Sequence, residues 1–504
     1  MTPQATARMT SSTAELNQDA SLVTIPRTAN STANRPNPIA PVRARDRVSC
    51  RNLKGLRALS QPRRRLSGTG GTAPGSSATA EAAVRSRARE RRPMRPASLR
   101  HLSAATSYPG AAKLRSMRVV VAPDKFEGSL SAGQAAAAIE AGLRRARPDA
   151  EVVRLPLGDG GAGTLEALVA AGFQRVPVAA SGPTGEPVAG AIAVDGTRPT
   201  GGPPRQSPGP PRAFVEMAEA SGLKRLPGGR RAPLEATTYG TGELLRAALD
   251  HGAREIVLGV GGSATTDGGA GMAAALGARL LDQAGTDLPP GGAALLRLAR
   301  IDVSGLDPRL AEVRVTVASD VDNPLTGPEG AAHVYGPQKG AGPDDVLLLD
   351  SALRRYARVL ADDLGQDVAG IPGAGAAGGL AAGAIAFLGA ELRTGIELVL
   401  ELVGFDKAVD GADLVVTGEG KLDAQSLRGK APVGVARAAA AHGVPVVAVA
   451  GAVEVADREL RAAGFEEAHA LLELEPDPRR SMAEAAPLLE RLAERVGRAW
   501  ASLP

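Results

Sequence analysis

The sequence contains very little cysteine and few aromatic residues. Its 504 residues include one cysteine, Cys50, and 2% phenylalanine, tryptophan and tyrosine. Because no cysteine follows residue 50, the rest of the chain has neither disulfides nor thiolate metal sites. No apolar run approaches the ~18–20 residues that a membrane-spanning helix needs. We therefore expect no membrane partner and a cytoplasmic protein.

Several catalytic motifs are also missing. The five histidines are scattered without metal-ligand spacing, and neither HExxH nor CxxC occurs, which argues against zinc hydrolysis. There is no GxSxG, so a nucleophile elbow is excluded. There is also no GxxxxGK[ST], which excludes a kinase of the Walker type.

Charge divides the chain at residue 116. Residues 1–116 contain 21 lysine and arginine residues against 5 aspartate and glutamate residues, whereas the remainder is acidic. Low apolar content predicts that this basic segment is disordered. An organelle transit peptide and a nucleic-acid-binding arm are both compatible with its composition. Without aromatic stacking residues we expect no nucleic-acid partner. The favoured interpretation is a tail, 1–116, outside the working protein, because Met117 opens the first strand-like run.

From Met117 onward, short apolar runs alternate with glycine-rich turns and helical segments. This alternation predicts parallel sheets covered by helices. The most informative stretch is EIVLGVGGSATTDGGAGMAAALG, Glu255–Gly277, in which an apolar strand enters a glycine-rich turn and leaves as a helix. Backbone N–H groups at such a turn bind phosphate or carboxylate groups, although an ordinary tight turn has the same composition.

Polar clusters follow several of the predicted strands. Each cluster by itself is typical of a turn, but the carboxyl ends of parallel strands meet at one edge of a sheet. Together the clusters supply N–H groups, cations and carboxylates, which phosphoryl transfer through Mg²⁺ requires. They lie at Asp124–Lys125, Asp159–Gly160, Gly261–Asp267, Asp320–Asn323 and Gly418–Asp423.

The glycine-rich stretch also permits a different interpretation. Gly259, Gly261 and Ala264 satisfy the dinucleotide pattern GxGxx[GA] after a strand, and Asp282 lies near the position of a ribose-binding acid. This weak pattern keeps a nucleotide-dependent dehydrogenase as an alternative. A non-catalytic module that binds sugar acids is a second alternative.

Nine blocks of the sequence, in order, resemble those of the bacterial type 1 glycerate kinase family. The resemblance covers about Met117 to Trp500. The blocks are VVVAPDKFEGSLSA, PLGDGGAGT, MAEASGL, TTYGTGELL, LGVGGSATTDGGAGM, ASDVDNPLTGPEGAA, YGPQKGA, GAGAAGGLAAGAIAFLGAELR and VVTGEGKLDAQSLRGKAP.

The resemblance implies an ATP-dependent, Mg²⁺-requiring kinase that converts D-glycerate to 2- or 3-phosphoglycerate in an interdomain cleft. It implies an α/β fold of two α/β domains with mainly parallel sheets. One domain, 117–178 plus 395–504, is expected to be discontinuous and Rossmann/flavodoxin-like. The second, 179–394, is expected to be inserted into it. The oligomeric state, monomer or homodimer, is left open.

The chain departs from the family pattern at a few positions. Glu127 stands where the family has lysine, and Lys125, two residues earlier, is expected to serve the same phosphate because i and i+2 of an extended segment point the same way. Ala162 replaces a glutamate and Thr266 replaces an asparagine. Lys421 replaces an arginine, which keeps the charge but loses the bidentate fork.

The candidate site residues follow from these blocks and turns. As catalytic residues we predict Asp320, Asp267 and Lys125. As Mg²⁺ ligands we predict Asp320 and Asp423. The predicted substrate- and phosphate-binding residues are Asp159, Gly261, Gly262, Ser263, Thr265, Asn323, Gly418, Glu419, Lys421 and Lys430.

Overall fold

The computed structural model describes residues 116–195 and 210–500. The predicted disordered tail, 1–116, lies outside the described residues except for its last residue. The strands are β1 (Arg118–Pro123), β2 (Glu151–Arg154), β3 (Gln174–Ser181), β4 (Pro187–Val194), β5 (Arg212–Glu216), β6 (Glu255–Gly259), β7 (Arg279–Leu281), β8 (Arg300–Asp302), β9 (Arg314–Ala318), β10 (Glu391–Arg393), β11 (Leu414–Leu422), β12 (Val446–Val453) and β13 (Glu467–Ala470).

The helices vary from single turns to six turns. They are α1 (Ala132–Ala146), α2 (Thr164–Ala170), α3 (Ala218–Ser221), α4 (Tyr239–Asp250), α5 (Ala270–Ala275), α6 (Ala331–Tyr335), α7 (Pro343–Leu364), α8 (Ala376–Leu388), α9 (Gly395–Val403), α10 (Phe405–Val409), α11 (Ala431–Ala441), α12 (Asp457–Ala462), α13 (Pro478–Ala483) and α14 (Ala485–Ala499). Within the described ranges, none of these helices combines the length and apolar character that crossing a membrane demands.

Two main sheets organise the described chain. The first has the order β13-β12-β11-β1-β2, with every pair parallel, and is built from the beginning and the end of the described chain. The second has the order β10-β9-β6-β5-β4-β3, in which only the β3–β4 and β4–β5 pairs are antiparallel. A small antiparallel pair, β7 and β8, accompanies it. The predicted fold class, α/β with mainly parallel sheets, is confirmed.

The limits predicted for the two domains stay a prediction. The proposed boundary after residue 178 falls inside β3, which pairs with β4 along its whole length. The chain order of the strands agrees with an inserted segment, since the second sheet lies between β2 and β11 in sequence.

The two sheets share one apolar cluster. It contains Val120 and Val415 from the first sheet, Phe214 and Val257 from the second, and helix residues such as Val399 of α9. Burial of this surface stabilises both sheets together at ~25 cal/mol per Å². The carboxyl ends of the two sheets are thereby held close to each other, and that is where the candidate site lies.

Candidate active site

Two cavities open beside the carboxyl ends of the strands, where ligands bind in parallel α/β sheets. The first, which we call the lysine cavity, measures about 490 Å³ and is lined in part by Lys125, Lys421 and Lys430. The second, the glycine cavity, measures about 340 Å³ and is lined in part by the turn 261–263. Asp159, in the turn that joins β2 to α2, lines both cavities.

Two buried carboxylates line the lysine cavity on adjacent strands. The N–H of Asp124, just after β1, donates to the carbonyl of Gly418 in β11 at 2.8 Å, which brings Asp124 beside Glu419. Burial raises the pKa of Asp124 to about 6 and that of Glu419 to about 7. Glu419 Oε1 is buried without a hydrogen-bond partner, so this oxygen is suited to accept a bond from a ligand or a cation.

Lys125 is half-buried among carboxylates. Burial disfavours its charge, but Asp124, Asp159 and Glu127 more than offset this effect, and the pKa of Lys125 is raised. The ammonium group therefore stays charged at neutral pH. A charged lysine beside Asp159 can neutralise a phosphate at the boundary between the two cavities.

Two predicted residues of the 418–423 segment have partners within the protein. Lys421 Nζ lies 2.8 Å from Glu454, whose hydrogen bond raises the pKa of the lysine. Asp423 accepts from the N–H groups of Gln425 and Ser426, chiefly the latter, which lowers the pKa of Asp423. Lys421 is half-exposed at the cavity, and Asp423 caps a turn.

One part of the lysine cavity is apolar. It is lined by Leu471, Leu472, Pro478, Met482 and Ala485, from the segment that follows β13 and from α13 and α14. These side chains carry no charge or hydrogen-bonding group, so this part of the cavity suits an aromatic ring or another apolar group.

The turn 261–263 lines the glycine cavity with its backbone. Among the described residues, its N–H groups have no hydrogen-bond acceptor, whereas the Gly262 carbonyl accepts from Leu223. Gly262 has φ +73°, a conformation that favours glycine. A β-carbon at Gly261 would lie 2.5 Å from Gly161 Cα, so this turn contacts the turn that carries Asp159. The turn therefore offers unpaired backbone N–H donors to the cavity, and anion binding by this turn stays a prediction.

Asp320 follows β9 and lines the same cavity. Its Oδ1 accepts a 2.9 Å hydrogen bond from the N–H of Gly395 at the start of α9. Nearby atoms desolvate the carboxylate, and the charges of Asp159 and Glu397 add to this effect, so the pKa of Asp320 is raised. The preceding Ser319 lines the cavity with a buried hydroxyl that has no partner. A carboxylate and a hydroxyl thus line the same cavity.

A left-handed stretch of backbone forms another part of the glycine cavity. Ala377 has φ +55°, the one positive φ of a non-glycine residue in the described part of the chain, and Gly378 and Gly379 continue the stretch. An L-residue in this conformation costs roughly 1–2 kcal/mol. Ala377 lines the cavity, and strained backbone of this kind clusters at functional sites.

Asp267, a predicted catalytic residue, lines neither cavity. It is 1% exposed, and its oxygens accept from Thr238 N–H at 2.8 Å and from the N–H groups of Gly269 and Gly271. Burial raises its pKa, and these backbone donors oppose the rise. Asp267 joins the turn 261–267 to the starts of α4 and α5, which is a structural role.

Three other predicted binding residues also lie outside the two cavities. Thr265 is buried, and its carbonyl accepts from Lys339 Nζ. The Asn323 amide donates to the carbonyl of Glu329. Gly418 lies within β11, where a β-carbon would come 1.9 Å from the Val449 carbonyl. Each of these residues contacts a neighbouring segment instead of a cavity.

The predicted pair of metal ligands is divided between the cavities. Asp320 lines the glycine cavity, whereas Asp423 lines the lysine cavity. Within residues 116–195 and 210–500, no group of three or more histidine, cysteine, aspartate or glutamate side chains is arranged to hold a metal ion.

Sequence reasoning missed Glu216, Tyr335 and Gln338. Glu216 ends β5, is 4% exposed, and accepts from the N–H groups of Gly163 and Leu165 in the first turn of α2. Tyr335, the last residue of α6, and Gln338, in the segment that follows it, line the glycine cavity. The block YGPQKGA contains both residues, but it follows a short helix rather than a strand, so an analysis of strand ends passes over it.

Comparison with known proteins identifies the family of this chain. The profile of the glycerate kinase family matches residues 119–501. The chain belongs to the glycerate kinase family. The chain is similar to the glycerate kinase of Bacillus subtilis. The two are 49% identical over 338 residues, which cover 67% of this chain and 85% of that protein. The glycerate 2-kinase of Escherichia coli is 47% identical over 339 residues, covering 67% and 86%.

A solved structure of the family has the same fold. The crystal structure of a protein described as glycerate kinase 2 from Salmonella typhimurium LT2 is 45% identical, with a TM-score of 0.67, and the match covers 77% of this chain and 99% of that one. The family predicted from the nine sequence blocks is confirmed, and so is the prediction of a glycerate kinase. The dehydrogenase alternative loses its support, because Asp282 accepts from Ala284 and Thr286 in its own turn and lines neither cavity.

Proposed function

We propose that this glycerate kinase binds ATP in the lysine cavity and D-glycerate in the glycine cavity. The observation that carries this assignment is Asp159, which lines both cavities and so marks where the two ligands meet. The lysine cavity combines cations with an apolar part, as a nucleoside triphosphate requires. The other offers backbone N–H groups and carboxylates, which suit a small hydroxy acid.

The carboxylate of glycerate binds to the turn 261–263. Its N–H groups are preorganised donors without acceptors among the described residues, and Ser263 adds a hydroxyl. Since this turn contacts the Asp159 turn at Gly161, the hydroxyl next to the carboxylate lies at the junction of the cavities. We therefore propose the 2-hydroxyl as the acceptor, in agreement with the name of the Escherichia coli relative, glycerate 2-kinase.

Asp320 acts as the general base. Its pKa is raised, chiefly by desolvation and further by the charges of Asp159 and Glu397, so its carboxylate accepts a proton more readily than an aspartate without these neighbours does. The Gly395 N–H holds one carboxylate oxygen in place. Asp159 orients the attacking hydroxyl. The proton moves from that hydroxyl to Asp320 as the hydroxyl oxygen bonds to the γ-phosphorus, and the bond between this phosphorus and the β,γ-bridging oxygen breaks, so that ADP leaves.

The adenine ring occupies the apolar part of the lysine cavity, beside Leu472 and Met482. The triphosphate then extends toward Lys125 and Lys430. Lys125 is held charged by its carboxylate neighbours, and it neutralises the phosphate that is transferred. Because these groups are already in position, catalysis relies on placement and charge compensation.

The carboxylates of the lysine cavity fit Mg²⁺. Glu419 Oε1 is buried and unpartnered, and Asp124 lies beside it on the adjacent strand. Mg²⁺ commonly binds one or two carboxylates together with substrate phosphates, so a cluster of three protein ligands is not needed. Asp124 and Glu419 would hold the ion in place of the predicted pair Asp320 and Asp423. When bound, the ion would neutralise charge on the phosphates of ATP.

The proposal is tested by coupling ADP release to D-glycerate addition and by identifying the product with phosphorus NMR. We expect ADP release that depends on both D-glycerate and Mg²⁺, and a phosphorus signal coupled to the proton at C2. A signal coupled to the C3 protons would reverse the assignment of the hydroxyl. ATP hydrolysis that does not respond to D-glycerate would contradict the function itself.

A further inference from the structure

Lys339 is a buried lysine that the proposed mechanism does not use. It ends a short 3₁₀ turn, Pro337–Lys339, between α6 and α7, and is 1% exposed. Its ammonium group donates to the carbonyl of Thr265 at 2.6 Å. Among the described residues this is its one hydrogen bond, and no carboxylate oxygen lies within 4.0 Å. A buried charge with so few partners is costly.

The hydrogen bond of the Lys339 ammonium group joins two segments that line the glycine cavity. Thr265 follows the turn 261–263 by two residues, whereas Gln338, adjacent to Lys339, lines the cavity from the other segment. The Thr265 carbonyl is enclosed, because a β-carbon at Gly378 would lie 2.0 Å from its oxygen. The bond is therefore buried within the protein.

We propose that Lys339 is a positioning residue for the phosphoryl acceptor. The hydrogen bond of its ammonium group links the turn 261–263 to the segment that carries Tyr335 and Gln338. This link fixes the width of the glycine cavity. Lys339 itself touches no reacting atom. The inference rests on the proposed binding of D-glycerate in that cavity.

The surroundings of Lys339 make its hydrogen bond to Thr265 sensitive to pH. Burial lowers the pKa of Lys339 to about 7, and the negative charge of Asp267 opposes that shift. Tyr356 of α7 also faces this buried region, and burial together with Asp267 raises the pKa of its hydroxyl. As the pH rises through 7, Lys339 loses its charge and the hydrogen bond weakens. The unfolded chain keeps its lysine charged up to about pH 10.4. Between about pH 7 and about pH 10.4 the unfolded chain therefore binds more protons at this lysine than the folded protein does. The contribution of Lys339 to stability increases as the pH rises through that range.

The experiment compares Lys339→Met, which keeps the aliphatic chain, with Lys339→Gln, which keeps a neutral donor. The matched control is Lys407→Met, at an exposed lysine on α10 that lines neither cavity. The full chain is assayed for kcat, the two KM values and the melting temperature between pH 6 and pH 9. We expect Lys339→Met to raise the KM for D-glycerate about ten- to hundredfold, the loss typical of a hydrogen bond to a charged group. The KM for ATP stays constant, and Lys339→Gln lies between wild type and Lys339→Met.

Wild type is expected to show a D-glycerate KM that rises through pH 7, and Lys339→Met to lose that rise. A lower melting temperature with unchanged KM values would overturn the inference and leave Lys339 a purely structural residue. A higher KM for ATP with an unchanged KM for D-glycerate would support the positioning role of Lys339. It would reverse the proposed assignment of the two ligands to the two cavities. If neither variant folds, a wild-type KM for D-glycerate that is flat from pH 6 to pH 8.5 would overturn the inference.

Discussion

The carboxylate of Glu216 accepts a 3.0 Å hydrogen bond from the backbone N–H of Leu165. Glu216 ends β5 of the second sheet, whereas Leu165 lies in the first turn of α2, which follows β2 of the first. The same carboxylate accepts from the Gly163 N–H at 3.0 Å. A residue of one sheet thus holds the turn that carries Asp159, and it places this turn between the two cavities.

Glu216→Gln is expected to lower both stability and turnover. The amide keeps one acceptor oxygen but removes the charge that strengthens both bonds, so we expect a loss of about 1.5–3 kcal/mol in the free energy of unfolding. Misplacement of Asp159 should lower kcat about tenfold or more. Denaturant unfolding and steady-state kinetics measure the two effects. Glu219→Gln, in the neighbouring helix α3, is the control, because Glu219 pairs with Arg175 and Arg225 at the surface. Equal effects in the two variants would contradict the role of Glu216.

Asp320→Asn is expected to impair turnover and to leave folding nearly unchanged. Loss of a general base typically costs ~10²–10⁴ in rate, whereas an exposed carboxylate contributes little to stability. Asp322→Asn, two residues along the same segment, lines neither cavity and serves as the control. The measurement is kcat at saturating D-glycerate, ATP and Mg²⁺. Near-normal turnover of Asp320→Asn would transfer the role of base to Asp159.

Asp267→Asn is expected to behave in the opposite way. The carboxylate is buried and accepts bonds from both Thr238 and the N–H groups at the start of α5. An asparagine would turn an NH₂ group toward some of these donors, which we expect to destabilise the protein by about 2–4 kcal/mol. Thermal unfolding measures this loss. The remaining folded protein should retain kcat within a few-fold, and a loss of kcat by 10²-fold at full stability would restore Asp267 to the catalytic group.

Gly262→Ala is expected to weaken D-glycerate binding more than Ser263→Ala does. Gly262 has φ +73°, so alanine there costs roughly 1–2 kcal/mol of strain, and relief of that strain shifts the N–H groups that bind the carboxylate. Ser263→Ala removes one neutral hydroxyl and should cost only about 0.5–1.5 kcal/mol of binding. Equilibrium binding of D-glycerate and of ATP to both variants gives the comparison. Weaker ATP binding with unchanged D-glycerate binding would assign the turn to the nucleotide.

The stability of the protein is expected to fall as the pH rises from about 4 to 7. Asp124 and Glu419 have raised pKa values of about 6 and about 7, so between these pH limits the folded state binds more protons than the unfolded state. Their contribution is complete below the unfolded pKa values and is lost as the pH passes the folded ones. Denaturant unfolding at pH 4.5, 6 and 7.5 measures the slope. Glu419→Gln should flatten it, and an unchanged slope would show that Glu419 is not protonated in the folded protein.

The sequence by itself determined the alternation of strands and helices and therefore the α/β class. Short apolar runs such as Leu414–Thr417, with β-branched residues and a glycine turn after them, favour buried strands. The glycine turn after Val260 has positive φ at Gly262, which the residue type permits. Asp159, Asp320 and Lys125 were found because they follow strands, and parallel strands bring their ends together. The position of these three residues after strands was therefore enough to predict that they lie close together.

Only the tertiary structure decided which of these side chains line a cavity. Asp267 and Asp320 both follow strand-and-turn segments, but Asp267 is covered by Thr238 and the start of α5, whereas Asp320 lines a cavity. Glu216 and Lys339 became visible only through partners that are distant in sequence, Leu165 and Thr265. Burial and hydrogen bonding depend on these long-range contacts, which local periodicity does not encode, so the division into two cavities comes from the packing of the two sheets.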